Sequence, residues 1–305
     1  MIDILSFGEP LIEFNNRGGT AFVKGFGGDT SNVAIAAARQ GATTGMIAHI
    51  GTDAFGDDLM GLWANEGVST ATVRRDPDAP TGIYFVDHGP DGHTFSYRRA
   101  GSAASRVTPD ELPLEAIRAA RTLHVSGISL AISDSACDAS FAAMREAREA
   151  GVTVSFDLNL RKQLWPIDRA RALIHAALAH TDIALPGLDD ASALTGLDDP
   201  REIIALYRSF GPRIVALTLG EGGALVADGE AIHEIPPRPA DLVDASGAGD
   251  CFDGSFLARL IAGDDTRAAA EYATVAASLS VEGVSAIAPI PRKDAVEAAL
   301  AAWRS

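Results

Sequence analysis

Apolar residues along this 305-residue chain alternate between short continuous runs and longer amphipathic stretches. Ile2–Gly8, Thr44–Ile50, Thr122–Ser126, Val152–Asp157, Ile183–Leu185 and Ile214–Leu219 have the length of buried strands. Between them Ser31–Gln40, Asp53–Glu66, Asp134–Ala150, Asp168–Ala179 and Pro200–Phe210 begin near a capping residue or a first-turn proline. Several stop close to glycine, so they read as helices. The alternation predicts an α/β fold with a mostly parallel sheet covered by helices on both faces.

Two segments break the rhythm. Leu11–Lys24 surrounds Asn15-Asn16-Arg17-Gly18-Gly19, and Thr81–Arg98 surrounds Gly89-Pro90-Asp91-Gly92, each a turn cluster between extended stretches. Hairpins there do not easily join a parallel sheet. They are expected to form a small β-layer standing off the core as a lid, over about residues 11–26 and 80–100. With no internal repeat and no obvious linker, residues 1–305 read as one domain.

A formal charge of −16 disfavours nucleic acid and anionic membrane surfaces, because phosphate binding draws on basic residues that displace counterions. Small anions stay open as ligands, since a local basic pocket can coexist with an acidic exterior. Cys137 and Cys251 are too few for a disulfide scaffold and too far apart for a CxxC motif. Together with an N-terminus lacking a basic leader and no apolar run of membrane length, this predicts a cytoplasmic protein. The seven histidines form no compact ligand set, and Trp63, Trp165 and Trp303 read as packing residues.

The chemistry is concentrated in Asp244-Ala245-Ser246-Gly247-Ala248-Gly249-Asp250, followed by the helical Cys251–Ile261. A small-residue loop at a helix N-terminus aims unpaired N–H groups and the positive end of the helix dipole at a ligand, which makes an anion cradle. One reading is an ordinary turn capped by Asp250. A dinucleotide fingerprint does not fit, because Phe252 stands where GxGxxG requires glycine and the run lies late in the chain. The third reading is phosphoryl transfer, with Asp250 accepting the proton of an attacking hydroxyl. In the helix dipole this aspartate is expected to be a weak base near pH 7.

A second run, Gly27-Gly28-Asp29-Thr30-Ser31-Asn32, precedes a helix, with Gly41 and Gly51 following. Together the two runs resemble the paired signatures of the PfkB or ribokinase-like carbohydrate kinases, and the resemblance extends over nearly the whole chain. It implies a ribokinase-like three-layer sandwich with a β-lid, and transfer of the γ-phosphate of Mg-ATP to a sugar hydroxyl, with a monovalent cation possible. On that resemblance Asp250 is the base and Gly247, Ala248 and Gly249 form the anion hole. Leu217-Thr218-Leu219-Gly220-Glu221-Gly222-Gly223 looks like the strand-loop lining the nucleotide, with Thr218, Gly220, Gly222 and Gly223 as contacts; a plain hairpin turn is the other reading.

Within the family, Gly25–Thr30, Leu123–Ile132 and Asp157–Trp165 resemble the 2-keto-3-deoxygluconate kinases. The resemblance implies that Gly28, Asp29, Asn32, Tyr84, Tyr97, Arg99 and Arg161 contact a sugar acid, the arginines holding its carboxylate and the tyrosines arriving from the lid. Arginine's planar fork suits a carboxylate, which a neutral hexose does not require. Arg98, Arg106 and Lys162 read as solvated surface charges. A kinase for fructose or ribose, and a non-catalytic sugar or nucleotide sensor, are the competing functions. A homo-oligomer is expected, with the lid as a plausible dimer surface.

Four positions depart from the family pattern. Ala245 replaces a Thr or β-branched residue, Asp253 and Ser255 replace small apolar ones, and Gly187 stands at the asparagine of NxxE, leaving Asp190 to resemble its glutamate. Asp190 is the expected carboxylate orienting Mg²⁺ through water.

Overall fold

A computed structural model describes residues 1–16, 18–89 and 92–305; Arg17, Pro90 and Asp91, at the expected hairpin tips, lie outside the described residues. The first half of the chain supplies β1 (Ile4–Phe7), β2 (Leu11–Asn16), β3 (Phe22–Gly27), α1 (Asp29–Arg39), β4 (Thr44–Gly51), α2 (Ala54–Glu66), β5 (Ser69–Asp76), β6 (Ile83–Gly89), β7 (Gly92–Arg98), α3 (Leu114–Ala119), β8 (Thr122–Ser126), α4 (Gly127–Ala131) and α5 (Asp134–Glu149). The second half supplies β9 (Thr153–Asp157), α6 (Ile167–Leu178), β10 (Ile183–Leu185), α7 (Leu188–Thr195), α8 (Pro200–Phe210), β11 (Ile214–Thr218), β12 (Ala224–Asp228), β13 (Ala231–Ile235), α9 (Ala248–Ala262), α10 (Thr266–Ser280) and α11 (Lys293–Arg304).

Local chemistry sets the helix ends. Asp53 caps α2 by accepting from the Gly56 N–H at 2.8 Å, and Ser133 caps α5 from Ala136 at 3.0 Å. Asp199 caps α8 ahead of Pro200. Gly67, Gly196 and Gly263 end α2, α7 and α9 in the left-handed region that glycine occupies without steric cost.

Nine strands form one sheet in the order β13-β12-β11-β10-β9-β8-β1-β4-β5. It is parallel from β11 to β5 and turns antiparallel only at β12 and β13. Period-two alternation sends Leu5, Leu123, Val125, Val154 and Phe156 to one face, into a core shared with α5, α6, α7 and α8. Ile4, Met46, Ile183 and Val226 go to the other face, against α1, α2, α9, α10 and α11. The result is the expected three-layer α/β sandwich. Trp63 is fully buried, its indole N–H bonded to the Ser31 hydroxyl at 2.9 Å, and Trp165 and Trp303 pack on the core.

The two hairpins are present, β2 with β3 and β6 with β7. They merge into a separate four-stranded sheet, β3-β2-β6-β7, through a parallel pairing of β2 with β6 in which Ile12 faces Ile83 and Asn15 faces Val86. Ile12, Phe14, Phe26 and Ile83 pack this sheet on the second core, where the Phe14 ring meets Phe55 of α2 edge-on at 5.7 Å. The opposite face turns toward the C-terminal ends of the parallel strands. Among the described residues no helix is long and apolar enough to cross a membrane.

Candidate active site

In a parallel sheet, ligands bind outside the carboxyl ends of the strands. A cavity of about 530 Å³ lies there, between those ends and the small sheet. Gly28, Asp29, Asn32, Tyr84, Tyr97, Arg99, Arg161, Asp190, Gly247 and Asp250 all line it, although they come from six separate stretches of chain.

Gly28 has φ +106, and a Cβ there would lie 2.4 Å from the Glu9 carbonyl oxygen, so only glycine lets α1 start against the end of β1. The first turn of α1 then places Asp29 and Asn32 on one face. Gly254 sets the other helix. A Cβ at Gly254 would lie 2.4 Å from the Val33 carbonyl oxygen and 2.7 Å from the Ala36 Cβ, so α1 and α9 touch backbone to backbone. That approach lets Asn32 Nδ2 donate to Asp250 Oδ2 at 2.8 Å. Asp29 Oδ2 accepts from Asn159 Nδ2 at 2.9 Å, tying α1 to the end of β9. Asn159 holds φ +32, a region that asparagine tolerates better than most residues, and its N–H is held by the Asp157 carboxylate at 3.0 Å.

Gly247 caps α9 in the left-handed conformation, with no side chain capping the helix. A Cβ at Gly247 would strike Ala286, whereas one at Gly249 would meet nothing within 4 Å. The first turn of α9 therefore offers backbone N–H groups beside Asp250 with open space over Gly249, a fit for phosphate oxygens.

Asp250 departs from the dipole argument. Its pKa is pushed up to about 7, chiefly by burial, with the nearby Asp29 charge adding to the rise and the Asn32 hydrogen bond and Arg161 opposing it. Desolvation and a like charge outweigh the helix N-terminus, so the group is poised as a base near neutral pH. Asp157 and Asp253 are also raised, chiefly by burial, with the charges of Asp250 and Asp29 adding to each.

The small sheet supplies the facing wall. Tyr84 and Tyr97 stack across β6 and β7 with centroids 5.6 Å apart, and the Tyr84 hydroxyl donates to Glu13 Oε2. Arg99 lines the cavity with its guanidinium over the Tyr97 ring at 5.1 Å, and is ion-paired to Glu9. Arg161 lines the cavity from the loop after β9, its Nη1 donating to the Leu160 carbonyl at 3.1 Å. Lys162, an exposed charge as expected, also lines the cavity beside it. Among the described residues neither Arg161 nor Lys162 has a carboxylate within ion-pair distance. Arg98 and Arg106 are exposed, as expected.

Asp190, in the first turn of α7, accepts from the Leu160 N–H at 2.8 Å and lines the cavity; burial raises its pKa. Among the described residues no three acidic, histidine or cysteine side chains converge as a metal site. Magnesium commonly uses one or two carboxylates plus water and phosphate oxygens, which a single Asp190 beside an anion cradle fits.

Thr218, Gly220, Gly222 and Gly223 do not line this cavity. They form the end of β11 and the 3-10 turn of the β11–β12 hairpin, where Gly223 has φ +88 and a Cβ would lie 2.1 Å from the Ile235 carbonyl oxygen. The run is a hairpin turn, and Thr218 bridges Gly187 just before α7. Sequence reasoning missed Glu9, Glu13 and Asn159. Glu9 carried one usable signal, its place directly after the C-terminal end of the first parallel strand.

Residues 1–293 match the pfkB family carbohydrate kinase family. This chain belongs to the PfkB family. The kinase is 36% identical to a 2-dehydro-3-deoxygluconokinase of Thermoproteus tenax, over 96% of this chain and 93% of that one. It is 34% identical to fructokinase-1 of Zea mays, over 85% and 83%. Among solved structures it resembles a PfkB protein from Polaromonas sp. JS666 with a TM-score of 0.90 and 31% identity, covering 98% of this kinase and 100% of that chain. It also resembles an E. coli protein provisionally assigned as a ribokinase II and solved with ATP and Mg²⁺, with a TM-score of 0.91 and 25% identity over 99% and 100% of the two chains. The ribokinase-like fold and carbohydrate kinase class expected from the sequence are both borne out.

Proposed function

We propose that this kinase transfers the γ-phosphoryl group of ATP to the 6-hydroxyl of 2-keto-3-deoxygluconate, giving the 6-phosphate. The observation that carries the reading is one cavity lined by Asp250, by an uncapped helix N-terminus and by two cations, Arg161 and Lys162, that have no carboxylate within ion-pair distance among the described residues. Asp250 takes the hydroxyl proton, the oxygen attacks the γ-phosphorus, and the bond to the β-phosphate oxygen breaks to release ADP. Asn32 holds the carboxylate in place, and the N–H groups of Gly247, Ala248 and Gly249 stabilise charge on the transferred group. Magnesium, when bound, shields the phosphate charge, and Asp190 is the residue that would orient its waters. Thr218, Gly220, Gly222 and Gly223 are assigned to the nucleotide, outside the sugar cavity. Arg161 receives the sugar-acid carboxylate, while Gly28, Asp29, Tyr84, Tyr97 and Arg99 bound the rest of the sugar.

The likeness to a fructokinase favours a neutral sugar as the second reading. Kinetics with ATP and a panel of 2-keto-3-deoxygluconate, 2-keto-3-deoxygalactonate, fructose and ribose separate the two. The sugar acids should exceed fructose in kcat/KM by about tenfold or more, the scale of one well-placed ionic contact, and Arg161→Ala should erase most of that margin. Faster turnover of fructose or ribose, or equal losses on acid and neutral substrates in Arg161→Ala, would overturn the reading.

A further inference from the structure

The proposed mechanism gives Arg99 a place beside the sugar but no role to the buried carboxylate paired with it. Glu9, between β1 and β2, is 1% exposed and lines the cavity. Its carboxylate is ion-paired with Arg99 and accepts from the Ser102 hydroxyl at 3.3 Å. The Arg99 side chain is only 10% exposed, and its Nε is buried with no partner. Arg161 and Lys162, by contrast, are exposed residues of the same cavity without an ion pair among the described residues.

A guanidinium already shared with a buried carboxylate gains little from a second one. The three-group cluster would carry a net negative charge away from water, which is unfavourable without a further cation. A hydroxyl or keto oxygen brings no charge and can satisfy the waiting Nε–H. We infer that Glu9 is a specificity-determining positioning residue: by neutralising Arg99 it makes the small-sheet end of the cavity a site for uncharged sugar oxygens. The substrate carboxylate is thereby directed to Arg161 and Lys162. This rests on the reading of the cavity as a sugar-acid site, and it gives the bound sugar a direction.

The test compares 2-keto-3-deoxygluconate with fructose, using kcat/KM and calorimetric Kd with the full chain. Wild-type preference for the acid tests the functional reading; the change of that preference in variants tests the inference. Glu9→Gln keeps an acceptor for Arg99 and unmasks its charge, so the acid-to-neutral ratio should rise by on the order of tenfold. The paired variant Glu9→Gln/Arg99→Gln removes both buried charges together, which spares the fold an unpaired ion. It should hold the wild-type ratio within about threefold, whereas Lys162→Ala should lower it. Collapse of acid preference in the paired variant would identify Arg99 as the carboxylate receptor and overturn the inference. So would an unchanged ratio in Glu9→Gln, the behaviour of a purely structural ion pair.

Discussion

The two walls of the cavity are built on different physics. The wall carrying Asp250 comes from α1 and α9, which belong to the main core and touch through Gly254 with no side chain between them. The facing wall comes from a four-stranded sheet that presents stacked tyrosines and a masked arginine. One wall fixes the Asp250 carboxylate by a hydrogen bond from Asn32; the other offers broad surfaces and compensated charge. On the proposed function, reaction geometry is delegated to the packed layers, while the appended sheet bounds the uncharged part of the sugar.

Mutations on the two walls should differ in kind. On the first, Asp250→Asn should lower kcat by about 10²–10⁴-fold with little change in sugar Kd, the usual size of a general-base effect. With Asp250 acting as the carboxylate in the proposed mechanism and its pKa pushed up to about 7, wild-type kcat/KM should fall below pH 7 and level off above it. The stability consequence has the opposite sense. The folded protein retains a proton that the unfolded chain loses near 3.8, so wild-type stability falls as pH rises from about 4 to about 7. Asp250→Asn should escape that loss and melt a few degrees higher than wild type at pH 8. Wild-type turnover in this variant would remove Asp250 from the chemistry.

Gly254→Val comes next in size. Forcing α1 and α9 apart should cost about 1–3 kcal/mol and lower kcat roughly tenfold or more, because Asn32 and Asp250 lose register. Urea unfolding and steady-state kinetics read both numbers, and a stable, fully active variant would show that the helix contact does not position the base. The smallest effect is expected on the sheet wall, where Tyr97→Ala should raise the sugar KM severalfold and leave kcat within about twofold. A kcat loss as large as that of Gly254→Val would abolish the contrast between the walls.

Much of this arrangement was legible in the sequence. Buried parallel strands announce themselves as apolar runs, and β8, β10 and α8 have the bounds read from the sequence. Strand β5 was missed because its Ser69–Asp76 run is only half-buried and contains Arg74 and Arg75. The β12–β13 hairpin was missed despite the Asp228-Gly229 turn signal between its strands. In the site, residues tied to a local motif were accessible, whereas Glu9 finds Arg99 across 90 positions and Asp29 finds Asn159 across 130. Periodicity carries no information on such pairings. The basicity of Asp250 was misjudged for a related reason: its local helix dipole is visible in sequence, while burial and the charge of Asp29 are products of the tertiary fold.

The parallel pairing of β2 with β6 carries a practical consequence. Two stretches separated by more than sixty residues share one hydrogen-bonded ladder, so neither hairpin is an interchangeable part. Transplanting the small-sheet wall of a relative into this scaffold would require exchanging Leu11–Gly27 and Ile83–Arg98 as a single two-piece cassette, since replacing either alone would mismatch the seam from Ile12/Ile83 to Asn15/Val86.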